Sequence, residues 1–488
     1  MGEIKKQSIA NTSLSYIGAL IGFVVIYAQP FLISSSDIGL LRLLYSFSWM
    51  AAVVMPLGIG SNTVRMFPKI KDESSKHHGL FALLFLFTAL GALIIGSIIY
   101  FNQSQFDTYY QKSLEFPKYF NEALVFAFIL SLISVYTIYS SALLKTTFTV
   151  FLTAIFTRVG QLLVVVLYHY NVIDKHSMVL LYMAVFFIQL VLLIGYLFYH
   201  QSVSLSINWS FFKALDLKQI SWYGLLMTLT AFASLGIKFI DQLMIGHFLN
   251  EKLVGVYATC IMMCAVMEIP FNSLERIAQP KISYAWSIND VAEVNKIYEM
   301  SSRYMFFAGG VLFCILWASL DFILMFLPPE YQQGKMAFYI ISFSALFNLL
   351  TSVNSSVILY SHKYFAASVF LFVLLIVSIL ANNYLINLFG ITGAAAATLI
   401  SIGTFNLLKY FYILIRFKMQ PFSKNTFYIL ICILISVTFI LILPAMLHPF
   451  VKAVIGSLIS IVVFSIANYR YNMIEEVNKV LKRFKIIK

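Results

Sequence analysis

Charge is scarce in this chain of 488 residues: 11% of the residues are Asp, Glu, Lys or Arg, whereas 61% are hydrophobic and 46 are Phe. An aqueous domain cannot hide that much apolar surface. Lipid offers the backbone no hydrogen-bond partners, so a spanning segment must be a helix or part of a closed barrel, and these apolar runs lack the alternation of barrel strands. The composition therefore predicts an all-α polytopic membrane protein.

Cysteine is also rare, because the chain has only Cys260, Cys264, Cys314 and Cys432. All four fall inside apolar runs, so no disulfide scaffold is predicted. Cys260 and Cys264 share a helix face, but no further ligand accompanies them, and we interpret them as small apolar packing residues. Neither a metal site nor a cofactor is expected.

Catalytic and nucleotide-binding motifs are missing as well. No Walker loop, G-x-S-x-G, H-E-x-x-H or D-x-D signature lies in a loop that could use it. The connections between apolar runs are too short to hold a catalytic domain. These absences argue against an ATP-driven pump and against an enzyme.

Long apolar runs are present instead. Runs of about 20 residues, enough for a helix to cross roughly 30 Å of hydrocarbon, recur about 14 times between Ser8 and Tyr469. Most of the 33 Lys and Arg fall on the side of the N-terminus, which the positive-inside rule assigns to the cytoplasm. Both termini are therefore predicted to be cytoplasmic. The opposite side receives Arg42, Lys112, Lys118, Lys175, Lys252, Lys335 and Lys452.

The basic balance follows from this topology. A net charge of +13 reflects the orientation of the chain and its contact with anionic membrane lipids rather than nucleic-acid binding.

A weak internal repeat separates two parts of the chain by about 215 residues. The sequence 37–40, followed by Arg65 and Pro68-Lys69-Ile70, reappears as 253–256 with Arg276 and Pro280-Lys281-Ile282. Two similar halves around a central site are a recurrent transporter architecture. We therefore predict four regions: a six-helix bundle at 1–200, an interfacial cytoplasmic linker at 201–220, a second six-helix bundle at 221–415, and two additional helices with a basic cytoplasmic tail at 416–488.

Arg158 is the first candidate site residue. It lies near the middle of the fifth predicted span, with Gln161 one turn later. A charge at this depth costs roughly 3 kcal/mol, so it usually faces a partner or a wet cavity. Arg158 has no acidic neighbour on its own helix, and the guanidinium fork suits phosphate. The pattern predicts a structural partner elsewhere or an anionic ligand.

Two further spans carry charge. Lys238 and Asp241 lie in the seventh span beside Gln242, and Glu268 precedes Pro270 in the eighth. Lys238 and Asp241 are three residues apart, so they are either a buried ion pair or part of a polar cavity. In the second interpretation Lys238 joins Arg158 at the anion, while Asp241, Glu268, Gln161 and Gln242 provide polar groups or carry a coupling ion.

The duplicated arginines lie at span ends. Arg65 and Arg276 fall at the cytoplasmic ends of spans two and eight. They could line a cytoplasmic entrance or serve as snorkelling anchors that orient the helices.

Several segments together resemble a known family. The chain resembles the polysaccharide transporter, or Wzx-type O-antigen flippase, branch of the multidrug/oligosaccharidyl-lipid/polysaccharide (MOP) superfamily at 15–18, 36–42, 65–69, 241–246, 254–257 and 389–398. The resemblance implies a V-shaped pair of six-helix bundles with two extra C-terminal helices and a central cavity that opens to each side in turn.

The resemblance also implies a function. Such a protein moves an undecaprenyl-pyrophosphate-linked oligosaccharide across the bacterial inner membrane for surface polysaccharide (O-antigen, lipopolysaccharide) biosynthesis. Implied partners are membrane lipids, a polysaccharide polymerase and glycosyltransferases, with possible coupling to H⁺ or Na⁺.

Two other functions stay open from the residues. A cation-coupled multidrug exporter of the same fold would need an acidic cavity and a membrane carboxylate in the first half. A membrane enzyme acting on lipid-linked glycans would need a large extracytoplasmic loop, and the longest one predicted is Asn102 to Lys118.

Overall fold

The computed structural model describes residues 2–200, 203–214, 217–363, 365–444, 446–475 and 478, and these ranges form helices without a strand. The predicted all-α membrane fold is confirmed. Most of the basic C-terminal tail, and residues 201–202 and 215–216 of the predicted linker, lie outside the described residues. The chain forms two compact units, Met1–Gly255 and Val256–Lys488. The repeat-based division at 200 and 220 stays a prediction.

The first unit contains eleven complete helices in its described residues. They are α1 (Gly2–Leu32), α2 (Ser35–Ala52), α3 (Ile59–Ile70), α4 (Leu80–Phe101), α5 (Gln103–Tyr109), α6 (Phe120–Ala142), α7 (Thr147–Phe151), α8 (Thr157–His169), α9 (Lys175–Tyr199), α10 (Trp209–Lys213) and α11 (Leu217–Phe248).

The core of this unit lies between α2 and α6, which pack on each other, while α11 flanks α2 and α9 flanks α6. Leu43 and Leu44 of α2 and Phe126 and Leu130 of α6 are fully buried. Burying a large apolar side chain contributes about 1.5 to 3 kcal/mol against water, although helices that face lipid lose part of that driving force. Helices α1 and α8 pack together beside this core.

The second apolar run is broken rather than continuous. Helix α2 ends at Ala52, and α3 begins only at Ile59. Pro56 lacks the backbone N–H that a continuous helix needs, and Gly58 adopts a left-handed φ of 81°. The chain therefore leaves the span as a separate short helix, which carries Arg65.

The duplicated glycines meet in the first unit. A Cβ built on Gly39 would collide with the Glu251 carbonyl, and one on Gly255 would collide with the Ser35 carbonyl. Ser35 precedes Gly39 by one helical turn, as Glu251 precedes Gly255, so the contact has local twofold character. Only glycine permits two helix backbones to approach this closely.

Helix α12 (Glu251–Cys264) carries the chain from the first unit into the second, whose further helices pack around α14. They are α13 (Glu268–Ser287), α14 (Val291–Phe326), α15 (Lys335–Thr351), α16 (Asn354–Leu359), α17 (Phe365–Phe417), α18 (Lys424–Ile442) and α19 (Pro449–Tyr471).

Thirteen helices in the described residues are long and apolar enough to span a membrane. One of them, α17, has 53 residues and would measure about 80 Å if straight. It is bent back at Gly390, where φ is 59° and ψ is −136°. The rings of Phe370 and Tyr412 consequently lie 5.4 Å apart. Because α17 thus supplies two spans, the prediction of about 14 spans is confirmed.

Candidate functional site

A cavity of about 400 Å³ lies inside the first unit, between α2, α6, α8 and α9. Its polar lining includes Arg158, Gln161 and Gln189, together with Tyr45, Trp49 and Thr157. Among the described residues that line it, none is Asp or Glu. Two of the predicted site residues, Arg158 and Gln161, thus share one cavity, and the ionised side chain among its described lining residues is a cation.

A distorted turn positions Arg158. Residues Leu152–Phe156 form a π-helical turn between α7 and α8, and Thr157 Oγ1 donates to the Leu152 carbonyl at 2.8 Å. Such π-turns occur frequently at functional sites because they change the direction of the following side chains. Gln189 Oε1 lies 2.9 Å from the same hydroxyl, so the single O–H of Thr157 is shared between the two oxygens and links α9 to this turn.

Helix α1 holds one side of the guanidinium. Arg158 Nη1 donates to the Gly18 carbonyl, and the guanidinium lies so close to Gly22 that a Cβ there would collide with it. These two α1 partners are uncharged, so they fix the arginine without neutralising it. Because a guanidinium has five N–H donors, this bond leaves most of its hydrogen-bonding capacity for other groups.

A second arginine, which the sequence prediction placed outside the membrane, belongs to the same region. Arg42 lies inside α2, near Tyr45 and Tyr182. Tyr45 also lies near Arg158, and Gln161 Nε2 donates to the Tyr182 hydroxyl at 3.1 Å. Both arginines are therefore near the same tyrosine of the cavity wall.

The start of α2 contained the signal that would have placed Arg42 correctly. Ser34 is the N-cap, and its Oγ accepts from the Asp37 N–H at 3.2 Å. A Ser followed three residues later by an acidic residue resembles a capping box and predicts a helix start at Ser35. Arg42 then falls two turns inside the helix rather than in a connection.

Helix α11 contacts α2 beside this cavity through Phe239 and Gln242. The ring of Phe239 contacts Tyr45 edge-on at 5.9 Å, and Gln242 Oε1 accepts from Ser46 Oγ at 3.1 Å. Lys238 is exposed, with Nζ 5.3 Å from the centroid of the Phe239 ring, whereas Asp241 is buried.

The remaining predicted residues lie on short or interrupted helices. Arg65 is exposed on α3, and its guanidinium stacks on the Tyr223 ring at 4.4 Å, a cation–π contact. Glu268 is exposed at the start of α13, directly after a 3₁₀ turn at Ala265–Met267. Arg276 is exposed two turns further along α13.

Sequence reasoning also missed a buried cation in the second unit. Lys409 of α17 is only 3% exposed. Its Nζ donates to Ser355 Oγ at 3.0 Å and lies 3.7 Å from the centroid of the Phe405 ring. Glu275 interacts with it electrostatically and accepts from Ser356 Oγ at 3.2 Å.

Three asparagines extend this buried cluster. Asn354 Nδ2 donates to Asn406 Oδ1 at 3.1 Å, and Asn406 Nδ2 donates to Asn348 Oδ1 at 3.1 Å. Asn406 and Lys409 are three residues apart, a spacing that puts them on one face of a helix and could have identified the cluster from the sequence.

No family profile and no curated protein sequence matches the chain. Solved structures do match it. The lipid II flippase MurJ in an inward closed conformation aligns with a TM-score of 0.75 at 14% identity, over 95% of this chain and 98% of that one. A multidrug resistance MATE family transporter in an inward-facing conformation aligns with a TM-score of 0.62 at 11% identity, over 84% and 98%.

A third matching structure is another MOP superfamily transporter. A MOP superfamily transporter from Pyrococcus furiosus, whose binding pocket is described as having reverse polarity, has a TM-score of 0.57 at 11% identity, over 85% of this chain and 95% of that one. The chain thus has the fold of MOP-superfamily transporters, and the predicted fold class is confirmed.

Proposed function

We propose that this protein is a flippase, which moves an undecaprenyl-pyrophosphate-linked oligosaccharide from the cytoplasmic to the outer leaflet of the bacterial inner membrane by alternating access. Its product would feed surface polysaccharide biosynthesis, such as that of the O-antigen of lipopolysaccharide. The observation that carries the proposal is the position of Arg158 in a membrane cavity whose described lining has no acidic side chain.

The chemistry of the substrate explains why such a cavity suffices. A pyrophosphate and its sugars cannot cross hydrocarbon unaided, whereas a polyprenyl tail can stay in the bilayer. The transporter needs only a polar path with a cationic group for the anion. A guanidinium forms charge-assisted, often bidentate, hydrogen bonds with phosphate oxygens, so Arg158 suits this role better than a lysine would.

The other predicted residues take supporting roles in this proposal. Lys238 contacts the pyrophosphate with Arg158, while Gln161, Gln242, Asp241 and Glu268 supply polar groups or carry a coupling H⁺ or Na⁺. Arg65 and Arg276 guide the anion at the cytoplasmic entrance. No bond of the substrate is broken, so the protein acts as a carrier, and polymerase and glycosyltransferase enzymes would consume and supply its cargo.

A multidrug exporter is the second candidate, because MATE transporters share the fold. An exporter of cationic drugs would need a carboxylate in its cavity. The membrane-end carboxylate of α2, Asp37, is instead engaged by Lys175 at 3.0 Å and by Ser34 Oγ at 2.6 Å. The cation in the cavity wall therefore favours an anionic cargo.

Deletion of the gene in its native host tests the proposed function. We expect the surface polysaccharide to disappear while its lipid-linked precursor accumulates on the cytoplasmic leaflet, and the wild-type gene but not Arg158→Ala to restore export. Unchanged polysaccharide together with new drug sensitivity would favour the exporter instead.

The proposed orientation in the inner membrane has its own test. Reporter fusions after Lys71 and Lys213 should be cytoplasmic, and fusions after Gln111 and Lys335 should be extracytoplasmic, because the basic residues are distributed unequally. A fusion after Lys213 that reports from outside would overturn the topology.

A further inference from the structure

A second cavity in the first unit, of about 280 Å³, is lined by basic side chains. It lies at the end of the unit that the predicted topology assigns to the cytoplasm. Its lining includes Lys71, Lys76, Lys145, His77 and His200, with Glu73 as the acidic member. We call this cavity the basic pocket. Three lysines against one glutamate leave it with an excess of positive charge. None of its lining residues belongs to the Arg158 cavity.

The neighbouring carboxylate is engaged outside the pocket. Asp72 precedes Glu73, but it accepts from the Ser74 N–H and Oγ at 3.0 and 2.7 Å and lies 3.8 Å from His78 Nε2. Hydrogen bonds from Ser74 and Ser75 lower the pKa of Asp72 to about 2. Asp72 is therefore ionised, but its oxygens are hydrogen-bonded within its own loop and it does not line the pocket, so Glu73 is the acidic residue among the lining side chains.

The back of the pocket is partly desolvated. His77 is buried, and its Nδ1 accepts from the Asp72 N–H at 3.3 Å, which assigns the ring proton to Nε2 as a donor. Lys145 and His200 are half-buried. Burial, and next the nearby Lys145, lower the pKa of His200. The cationic and potentially cationic groups thus disfavour one another's charge, and a bound anion would relieve that repulsion.

The loop that carries these residues is fixed against the linker. Asn208 N–H donates to the His78 carbonyl at 3.0 Å, and Phe211 stacks on the His78 ring at 3.7 Å. Lys76, His77 and His78 all have positive φ, of 49°, 58° and 56°. Residues other than glycine rarely adopt this backbone conformation. The contacts with residues 208–211 therefore help to hold the lysine and the two histidines in place.

We propose that the basic pocket binds a phosphate group, carried by the headgroup of an anionic membrane phospholipid or present as free phosphate. Lysine ammonium groups and an imidazole N–H donate to phosphate oxygens, and the pocket lies where headgroups of the cytoplasmic leaflet, which attract clustered lysines, are within reach. The proposal uses no residue of the Arg158 cavity, so it stands or falls independently of the flippase function.

Native mass spectrometry of the full-length protein in detergent tests the proposal, with phosphatidic acid and diacylglycerol as probes that differ only by the phosphate. The wild-type protein should retain phosphatidic acid and release diacylglycerol. In Lys145→Gln, loss of one charge-assisted bond should weaken retention about tenfold. Lys213→Gln is the matched control, because it removes a lysine of α10 that does not line the pocket, and it should behave as wild type.

Inorganic phosphate distinguishes the two sources. Phosphate that binds alone, with line broadening in ³¹P NMR that Lys145→Gln removes, would identify free phosphate, whereas retention of phosphatidic acid alone would identify a headgroup. If Lys145→Gln lowers the protein yield, Lys76→Gln at the exposed rim replaces it. Equal retention of phosphatidic acid and diacylglycerol, or equal loss in Lys213→Gln, would overturn the proposal.

Discussion

Each unit of this protein holds a buried or half-buried cation in its membrane part, and the two surroundings differ. In the first unit, Arg158 lines a cavity of about 400 Å³ and bonds to a carbonyl of α1. In the second unit, Lys409 is packed under the Phe405 ring, hydrogen-bonded to Ser355 and within the field of Glu275. Arg158 therefore borders a cavity, whereas Lys409 is enclosed by protein side chains.

On this difference we base the proposal of a ligand-binding role for Arg158 and a structural role for Lys409. A buried charge is costly unless it is paired or solvated, so a cation beside a cavity without lining carboxylates favours an anion from outside the chain. A cation enclosed by its own partners stabilises the helices that supply them. Lys409 does this for α13, α16 and α17, since Glu275, Ser355 and the lysine itself come from these three helices.

The largest expected effect comes from making the same change in both units. Arg158→Met should abolish polysaccharide export at normal protein abundance, because the anion loses its charge-assisted bonds. Lys409→Met should lower abundance, because it leaves Glu275 without its cation, but the protein that remains in the membrane should export normally. Export assays and immunoblots of membranes measure both. Normal export by Arg158→Met would show that Arg158, like Lys409, is not needed for transport.

Lysine at position 158 sharpens the same test. Arg158→Lys keeps the charge but loses the planar fork of N–H donors. If one charge-assisted bond is lost, the export rate of this variant should be roughly a tenth of the wild-type rate. Full recovery would show that the cavity needs charge alone.

The pair Lys238 and Asp241 decides whether α11 belongs to the binding site. If the two residues serve only each other, each single Ala variant should lose abundance, most of all Lys238→Ala, which leaves the buried Asp241 without its cation, and the double variant should regain both abundance and export. We expect instead a double variant that is abundant but inactive, because Lys238 then contacts the substrate. Membrane abundance and surface polysaccharide in the three variants distinguish these outcomes.

Removal of Glu275 should affect folding more than transport. Glu275→Ala leaves Lys409 in an apolar setting without its carboxylate, which should cost about 1 to 3 kcal/mol and lower membrane abundance several-fold. Lys409→Met in the same chain should restore the abundance. Unchanged abundance of Glu275→Ala would show that the lysine does not depend on it.

The smallest expected effect is an indirect one on Arg158. Gly22→Ala adds a Cβ where the guanidinium lies, so the arginine must shift and export should fall a few-fold without loss of abundance. Gly96→Ala is the matched control, because no atom lies within 4 Å of a Cβ built there. An equal response of the two variants would show that the position of the guanidinium is unimportant.

The fold was largely predictable because every membrane span must be a run of about 20 apolar residues. Such a run does not show where the backbone ends or breaks a helix. Pro56 and Gly58 end α2 early, and the capping residue Ser34 moves its start upstream, so Arg42 was assigned to a connection although it lies within the helix.

The candidate site was harder to predict. The position of a charged residue within an apolar run shows that the charge is unusual, but it does not show which charged side chains are neighbours in the fold. Arg158 and Gln161 share a cavity because they are on one helix, whereas Arg42 and Arg158 lie near Tyr45 on different helices. The repeat identified Gly39 and Gly255 as equivalent, yet only the packing shows that they contact each other.

Direct binding of a pyrophosphate to the purified protein tests the central claim that the first unit's cavity takes an anion. Isothermal titration with geranyl pyrophosphate, a short soluble analogue of the lipid carrier, should show saturable binding to wild type and Lys409→Met, and none to Arg158→Met at the same concentrations. Equal affinity of wild type and Arg158→Met would contradict the account.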